Sequence, residues 1–596
     1  MTRPHTLVHQ LQRWASEKTD VAAIHDKVDG NWLPRSWGDY WTAAQRTGRG
    51  LLALGHKPGD CVALIGANRC DWVICQMAIM AIGGVPAPIY VTCTDDQVGY
   101  IVSHSRADIA IADNSARLST YRRAMEAGHM SVEHLVCMDA VDGDPTMSLA
   151  DLQALGDEQD PAAFEERLGA LAEDDVGLLI YTSGTTGTPK AVMLTHGNLV
   201  SQGESLMGQT AIFGPGLEPL RVVSYLPLCH VAEQVFTNVM QLGTGGQAFF
   251  LDDMKQIKDA LVDVRPTLFL GVPRVWEKFQ AVLEAKLGAS TGFKGWLTDW
   301  ARRTELAAYK AREATGAPQN SLSRRIANKL VISKVQDALG LDKVCAAATG
   351  AAPISMATLE FFASLGIPLY EGYGMSETAG VATCPPRNGQ RFGTVGTAMP
   401  GVAVHIADDG EILLKGPMMT RGYLHDPDKT AELIDAEGWL HTGDLGQLDA
   451  DGYLRITGRK KDILITAGGK NVAPAEMEGL LKGIAGVGQA IVIGDARPYL
   501  TALLNLDEEA VAGLAERFGA EASAAALSAC EPFRDWLMAQ VEAECNAHVA
   551  RYQTIKRVQV VPVPFSVEGG ELTPTMKIKR AEVSRKHAVL IEKLYE

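Results

Sequence analysis

The sequence lacks several features that would steer it toward particular classes of protein. Its ten cysteines form no Cys-x-x-Cys pair and no Cys/His cluster at metal-ligand spacing, which excludes a zinc module or disulfide scaffold and suits a reducing compartment. Positive charge is outnumbered, with 55 Lys and Arg against 71 Asp and Glu and a formal net charge of −16. No long basic run offsets this, so no nucleic-acid partner is expected. Met1-Thr2-Arg3-Pro4-His5 lacks the apolar core of a secretory signal, and Lys593-Leu594-Tyr595-Glu596 is neither a peroxisomal address nor a prenylation box. Long uncharged runs are scarce too. The stretch 72–90 has no charge, but Gly83, Gly84, Pro86 and Pro88 interrupt it, leaving about half a bilayer span. It predicts a buried helix over 72–82, N-capped by Asp71, and a core strand over 85–90.

What is present is length. A chain of 596 residues exceeds one hydrophobic core, so two or more domains are expected. Its 46% hydrophobic and 21% charged content is that of an ordinary globular protein. Short β-branched runs at 61–66, 107–112, 135–139, 176–181, 222–228, 268–272, 344–348 and 367–370 alternate with helical stretches such as 296–315 and 322–339. That alternation predicts an α/β fold with largely parallel sheets. After Pro400 the pattern changes. Segments 402–406 and 411–415 flank the turn Asp408-Asp409-Gly410 and predict an antiparallel hairpin. Strands over 489–493, 500–506 and 557–565 follow among Ala-rich helices, and the acidic stretch 142–175 reads as a surface excursion.

One segment stands out chemically. A strand over 176–180 runs into Tyr181-Thr-Ser-Gly-Thr-Thr-Gly-Thr-Pro-Lys190, where backbone N–H groups, hydroxyls and a cation could together hold a polyphosphate. A plain polar hairpin loop is the alternative these residues leave open. A Walker A loop is excluded, because Pro189 precedes Lys190 and Ala191 follows it. Five more segments follow: Thr349-Gly-Ala-Ala-Pro-Ile-Ser355, Tyr370-Glu-Gly-Tyr-Gly-Met-Ser-Glu-Thr378, Gly438-Trp-Leu-His-Thr-Gly-Asp444, Ile456-Thr-Gly-Arg-Lys-Lys-Asp-Ile463 and Leu572-Thr-Pro-Thr-Met-Lys-Ile-Lys-Arg580.

In this order the six segments resemble the motifs of the adenylate-forming (AMP-binding) superfamily, which includes acyl-CoA synthetases, peptide-synthetase adenylation domains and beetle luciferases. The resemblance implies a large N-terminal domain over 1–460, built of α/β sheets with a β-rich subdomain. It also implies a small, mobile C-terminal α+β domain over 461–596. Implied contacts to ATP or AMP are Thr182, Ser183, Gly184, Thr185, Thr186, Gly187 and Lys190 in the first motif and Gly350, Ala351, Ala352 and Pro353 in the second. Glu371, Gly372, Tyr373, Gly374, Met375 and Thr378 are the third set, with Tyr373 stacked on adenine and Thr378 facing the α-phosphate. Asp444 would accept both ribose hydroxyls, Arg459 would touch the nucleotide, and Lys461 would be the hinge. Mg²⁺ is implied at Thr185 and Glu377. Lys577 aligns with the catalytic lysine, in a Thr-Met-Lys context where many relatives have Ser-Gly-Lys, and Gly468 and Gly469 would face coenzyme A.

Leu226-Pro-Leu-Cys-His-Val-Ala-Glu-Gln234 and Val264-Arg-Pro-Thr-Leu-Phe-Leu-Gly-Val-Pro-Arg-Val-Trp-Glu-Lys278 are similar to long-chain acyl-CoA synthetases of the bubblegum-type branch. This implies that His230 lies beside the carboxylate and that Trp276 gates the acyl site. The implied activity is an ATP-dependent long-chain fatty acid–CoA ligase, with Lys577, Glu377, Thr185 and His230 as its catalytic set. ATP, Mg²⁺, coenzyme A and a fatty acid are the expected partners, and the location expected is cytoplasmic. Peripheral membrane contact and oligomeric state are left open. Delivery of the acyl group to a carrier protein, or use of another hydrophobic acid, are the nearer alternatives. Free coenzyme A is the expected acceptor because no carrier domain follows Glu596. A luciferase-like oxidoreductase and a non-catalytic scaffold are the more distant ones. The scaffold is disfavoured because Thr185, Glu377, Asp444 and Lys577 are all present.

Overall fold

Alternating apolar strands and helices place two mostly parallel sheets side by side with helices between and around them. The computed structural model describes residues 6–182, 188–210, 219–317, 319–566, 569–573 and 578–596. One sheet has five parallel strands, ordered Val85–Ile89, Cys61–Ile65, Ile109–Ala112, His134–Cys137 and Met147–Ser148. The other holds the strands that matter for the site, named here β1 (Arg221–Ser224), β2 (Leu268–Leu270), β3 (Ala346–Thr349) and β4 (Leu369–Glu371). They lie in the order β4-β3-β2-β1, all parallel, and Gln247–Phe250, Ala22–Val28 and the antiparallel edge strand Asn31–Ser36 complete the sheet. The fold is α/β, with a large N-terminal sheet domain and a smaller C-terminal one.

The uncharged run folds as the helix Cys70–Ala81, in which every residue but Asp71 is buried. A helix apolar on all sides belongs in the interior. Asp71 is not its N-cap: Arg69 holds that position, and its side chain makes no capping bond. Asp71 lies in the first turn and is engaged by Arg35 at 2.7 Å and Arg69 at 2.8 Å, because two guanidinium groups compete for it more strongly than a backbone amide does.

The stretch 142–175 also departs from expectation. It forms the helices Leu149–Asp157 and Pro161–Gly169, with Leu149, Leu152, Phe164 and Leu168 buried in the main core. Its acidic residues mark only the outer face. The first of these helices lies tightly on Trp37–Ala53, at two glycines. A Cβ at Gly156 would stand 2.0 Å from the Arg46 carbonyl oxygen, and one at Gly50 would stand 2.2 Å from that of Leu152.

The hairpin Ala403–Ile406 and Glu411–Lys415 forms as predicted and is extended by Leu440–Leu448 and Leu454–Arg459. Beyond it, Val487–Ile493, Leu500–Leu506 and Ile555–Val560 build a three-stranded sheet around a separate apolar core that includes Val472, Met477, Leu504 and Phe533. The last strand stops at Val560, not 565, since Pro562 and Pro564 have no N–H for a ladder. Ion pairs from Arg274 to Asp507 and from Lys278 to Glu509 join this unit to helix Pro273–Gly288.

The glycine contact allows a test in which two effects have opposite sign. Helix propensity alone favours Ala over Gly by about 1 kcal/mol. At position 156 the added methyl overlaps a backbone oxygen, and overpacking of this kind typically destabilises by about 1–3 kcal/mol. Gly156→Ala should therefore lower the urea midpoint with an unchanged slope. A raised midpoint would show that the two helices separate freely.

Candidate functional site

The carboxyl ends of β1 to β4 point the same way, and each leads into a segment singled out above. In open parallel sheets this edge is where ligands bind. From β1 the chain passes Leu226 to His230, and Asn68 steadies that exit by donating to the Ser224 hydroxyl (3.0 Å) and the Leu226 carbonyl (2.7 Å). From β2, two residues lead into helix Pro273–Gly288, with Trp276 in its first turn. β3 runs into Gly350–Pro353, and β4 into Gly372–Gly374.

The last two turns lie backbone against backbone. The Gly372 amide donates to the Thr349 carbonyl at 2.9 Å. A Cβ at Gly350 would sit 2.9 Å from the Gly372 carbonyl oxygen, and one at Gly374 only 1.7 Å from that of Gly380. Ala351 takes a left-handed φ of +66°, a strained conformation of the sort that clusters at ligand sites. Ala351, Ala352 and Pro353 are exposed. Beside them, burial pushes the Glu371 carboxyl up to about 8, so at neutral pH it carries a proton and offers both a donor and an acceptor.

Two polar clusters face this edge. The Tyr373 hydroxyl donates to Asp444 Oδ2 at 2.8 Å, and Arg459 Nε donates to Oδ1 at 2.9 Å. Asp444 and Arg459 are direct partners across antiparallel strands, which fixes the second contact by register. Burial, reinforced by the Asp444 charge, holds the Tyr373 hydroxyl well above the ordinary phenol range. In the second cluster, Lys190 Nζ lies 4.6 Å from the centre of the Tyr423 ring, and the Tyr423 hydroxyl donates to Glu377 Oε1 at 2.7 Å. Glu377 is 7% exposed, and no ion pair reaches it among the described residues. A nearly buried carboxylate whose hydrogen-bond partner is a neutral hydroxyl fits a hard cation that arrives with phosphates. Among the described residues no group of three or more His, Cys, Asp or Glu is placed to hold a metal unaided.

The first motif is a hairpin, Val176–Thr182 paired with Lys190–Thr195, in which Thr182 faces Lys190. Ser183, Gly184, Thr185, Thr186 and Gly187 lie outside the described residues, as does Lys577. Thr378 is fully buried, and its hydroxyl is used inside its own turn: it accepts from the Met375 amide and donates to the Gly380 carbonyl. Met375 is partly buried against the main core. His230 caps the short helix Val231–Glu233, accepting from the Ala232 amide at 3.2 Å. Trp276 is 0% exposed, packed against Phe269, Phe279 and Phe362, with its indole N–H donating to the Ala348 carbonyl at 3.1 Å. Lys461 is exposed in the turn Lys460–Asp462, and Gly468 and Gly469 occupy an exposed turn between Leu464–Ile465 and Asn471–Val472.

Two residues of the site escaped sequence reasoning. Tyr423 reaches Glu377 because Gly422–Tyr423 pairs with Lys190–Thr195, and no local pattern announces that pairing. Glu233 had a visible signal, as a lone carboxylate in the apolar run that follows His230. It is buried, accepts from Thr237 and Ser224, and burial raises its carboxyl to about 7.

Residues 11–424 match the family described as AMP-binding enzyme, and residues 461–596 match the AMP-binding enzyme C-terminal domain. The chain is 36% identical over 584 residues to the long-chain-fatty-acid–CoA ligase FadD15 of Mycobacterium bovis, covering 97% of this chain and 94% of that protein. It is 34% identical over 629 residues to the long-chain-fatty-acid–CoA ligase ACSBG2 of Gallus gallus, covering 99% and 81%. In fold it resembles the adenylation domain of a carboxylate reductase from Mycobacterium chelonae, with a TM-score of 0.76 at 22% identity, over 99% of this chain and 91% of that one.

Glu233 sets a pH dependence. Below about pH 4.5 the group is protonated both folded and unfolded, and contributes no difference. As pH rises toward 7 the unfolded chain releases the proton while the fold retains it, so stability falls across that window and levels off above it. Glu233→Gln removes this term. The variant's stability advantage over the parent should grow from pH 5 to pH 8 by up to about 3 kcal/mol, read from denaturant melts at each pH. A difference independent of pH would exclude Glu233 as the titrating group.

Proposed function

The chain belongs to the AMP-binding enzyme family, and from that premise we propose that it is an ATP-dependent long-chain fatty acid–CoA ligase. The observation that carries the adenylating part is the convergence of Lys190, Glu377, Tyr373, Asp444 and Arg459 around the turns that follow β3 and β4, the first of them strained at Ala351. The long-chain part rests on full-length relatives named for that activity.

A carboxylate resists nucleophiles until it carries a good leaving group. Its oxygen attacks the α-phosphorus of ATP, that P–O bond forms as the bond to pyrophosphate breaks, and the thiol of coenzyme A then displaces AMP from the acyl-adenylate. Adenine would lie against the Gly350–Pro353 turn and Tyr373, where protonated Glu371 offers a donor and an acceptor. The ribose hydroxyls would take the lone pairs that Asp444 keeps free of Tyr373 and Arg459. Thr185 and Glu377 would hold Mg²⁺, which supplies charge neutralisation at the phosphates. Ser183 to Gly187 and Lys190 would line the polyphosphate, and Lys577 would meet the negative charge that gathers during attack. Thr378 would act by fixing the turn that carries Glu377. His230 would sit beside the acyl carboxylate and Trp276 would close the acyl site. A domain boundary at 460/461, with Lys461 as hinge, would let the C-terminal part withdraw Lys577 and present Gly468 and Gly469 to the pantetheine arm.

ATP–pyrophosphate exchange over acids of increasing length, followed by mass detection of acyl-CoA, tests the substrate reading. Each buried CH₂ is worth about 0.8 kcal/mol, or roughly fourfold, so palmitate should exceed acetate by orders of magnitude in kcat/KM. Equal values would remove the long-chain assignment, and adenylation without acyl-CoA would point to a carrier-protein acceptor.

Half-reaction analysis tests the two-step assignment. Lys577→Ala should slow pyrophosphate exchange by about 10²–10³ while still converting supplied acyl-adenylate to acyl-CoA. Gly468→Leu should do the reverse. Position 468 suits this test because an added Cβ meets nothing nearer than Thr466 Oγ1 at 3.9 Å, whereas Gly469 has a φ of +73° that any side chain would strain. If both variants lose the same half-reaction, the domain-alternation mechanism fails.

A further inference from the structure

Helix Pro273–Gly288 leads through residues 289–291 into helix Gly292–Thr315, and the chain then folds back through Leu322–Ala327, a π-helical turn Asn328–Ile332 and Ser333–Leu339. The seam of this hairpin is filled by Ala301, Ala327, Val331 and Ile332, with Leu297 and Trp300 packed on them. The apolar side chains left outside are large. Phe293 is 76% exposed, Leu322 71% and Trp296 57%, with Val282, Ile326 and Leu330 also open to solvent. Phe293 and Trp296 are the only exposed large hydrophobics of either type among the described residues, and their rings stack at 5.7 Å. Leu322, Ile326 and Leu330 recur every fourth residue, and Phe293 and Trp296 are three apart, so each set lines one side of its helix. Both sets adjoin the same seam, since Trp296 neighbours Leu297, and Ile326 and Leu330 neighbour Ala327 and Val331.

Charge marks the same hairpin. Residues 273–340 carry twelve Lys and Arg against six Asp and Glu, a net of +6, in a chain whose total is −16. Lys286, Lys294, Arg325 and Lys329 are exposed beside the apolar positions, and no ion pair holds them among the described residues. A second copy of the chain would bring this positive face against itself. Apolar and aromatic side chains interspersed with lysine and arginine instead match a surface with anionic phosphates outside and hydrocarbon beneath. Among the described residues no helix is long and apolar enough to cross a membrane, so contact would be with the surface alone.

We propose that the hairpin 292–339, with the end of helix Pro273–Gly288, is a peripheral docking surface for an anionic lipid bilayer. Phe293 and Trp296 enter the headgroup layer, and Lys286, Lys294, Arg325 and Lys329 lie against lipid phosphates. This goes beyond the ligase reading and does not depend on it, because binding is read without any assay of activity. The full-length protein should co-sediment with vesicles of phosphatidylcholine mixed with phosphatidylglycerol. It should bind pure phosphatidylcholine weakly and leave the mixed vesicles as salt is raised. Phe293→Ser with Trp296→Ser, and separately Lys294→Glu with Arg325→Glu, should each lower the bound fraction at least about tenfold. Their thermal midpoints should stay near the parent's, since all four side chains face solvent. Three results would overturn the proposal: parent protein left in the supernatant with mixed vesicles, undiminished binding by both variants, or light scattering that shows the patch substitutions splitting a parent dimer.

Discussion

A single 2.9 Å hydrogen bond, from the Gly372 amide to the Thr349 carbonyl, clamps together the ends of two neighbouring parallel strands. Much of the candidate site depends on that clamp. The backbones approach so closely there that position 350 cannot carry a Cβ without meeting Gly372, and the next residues, Tyr373 to Met375, leave this sheet to pair with Gly380–Cys384. Parallel strands supply the geometry, because their carboxyl ends emerge on one edge and their loops need not return there. The cost is local strain, seen in the left-handed Ala351. A loop with ordinary φ values and a β-branched residue in place of Gly350 could not bring the two turns into contact.

Beyond the clamp, polar contacts run toward the junction between the two cores. Asp444 binds Tyr373 on one side and Arg459 on the other, and Arg459 is followed at once by Lys460, which pairs with Asp409 and Glu411. Whatever occupies the Tyr373–Asp444 cluster is therefore a few bonds from the segment where the first core ends. The smaller unit is held from another direction by Arg274–Asp507 and Lys278–Glu509, on the helix that carries Trp276. Side chains this open to solvent form pairs worth about 0–1 kcal/mol each. Contacts this weak would oppose little the change of orientation that the proposed two-step cycle requires.

Local chemistry carried most of what was legible in the sequence. The strand-end motifs, the interior helix at 70–81 and the hairpin after Pro400 could all be read from residue types within a dozen positions of one another. What was missed depended on distant partners. Asp71 has the composition of a cap, but Arg35 competes for it from the edge strand Asn31–Ser36. The acidic count of 142–175 hid Leu152 and Phe164, whose burial depends on a helix about a hundred residues earlier. Tyr423 belongs to the site through pairing with a strand more than two hundred residues away, and the interdomain pairs of Arg274 and Lys278 are likewise invisible to any window along the chain.

Trp276 shows how the core and the proposed chemistry can share one residue. The Ala348 carbonyl accepts two bonds, from the Gly271 amide at 2.9 Å and from the Trp276 indole at 3.1 Å. If the indole swung out, that oxygen would keep its backbone partner, and the freed indole N–H could meet water, so little polar energy opposes the motion. The opposition is apolar. Phe269, Phe279 and Phe362 would lose the ring that fills the space between them, and an emptied core of that size is strongly unfavourable. A long hydrocarbon chain entering as the ring leaves would restore those contacts, while a two-carbon acid would leave most of the void. The selectivity expected of the enzyme can thus arise from the energy of opening as well as from contacts along the bound chain. Short acids would be rejected because they fail to hold the gate open.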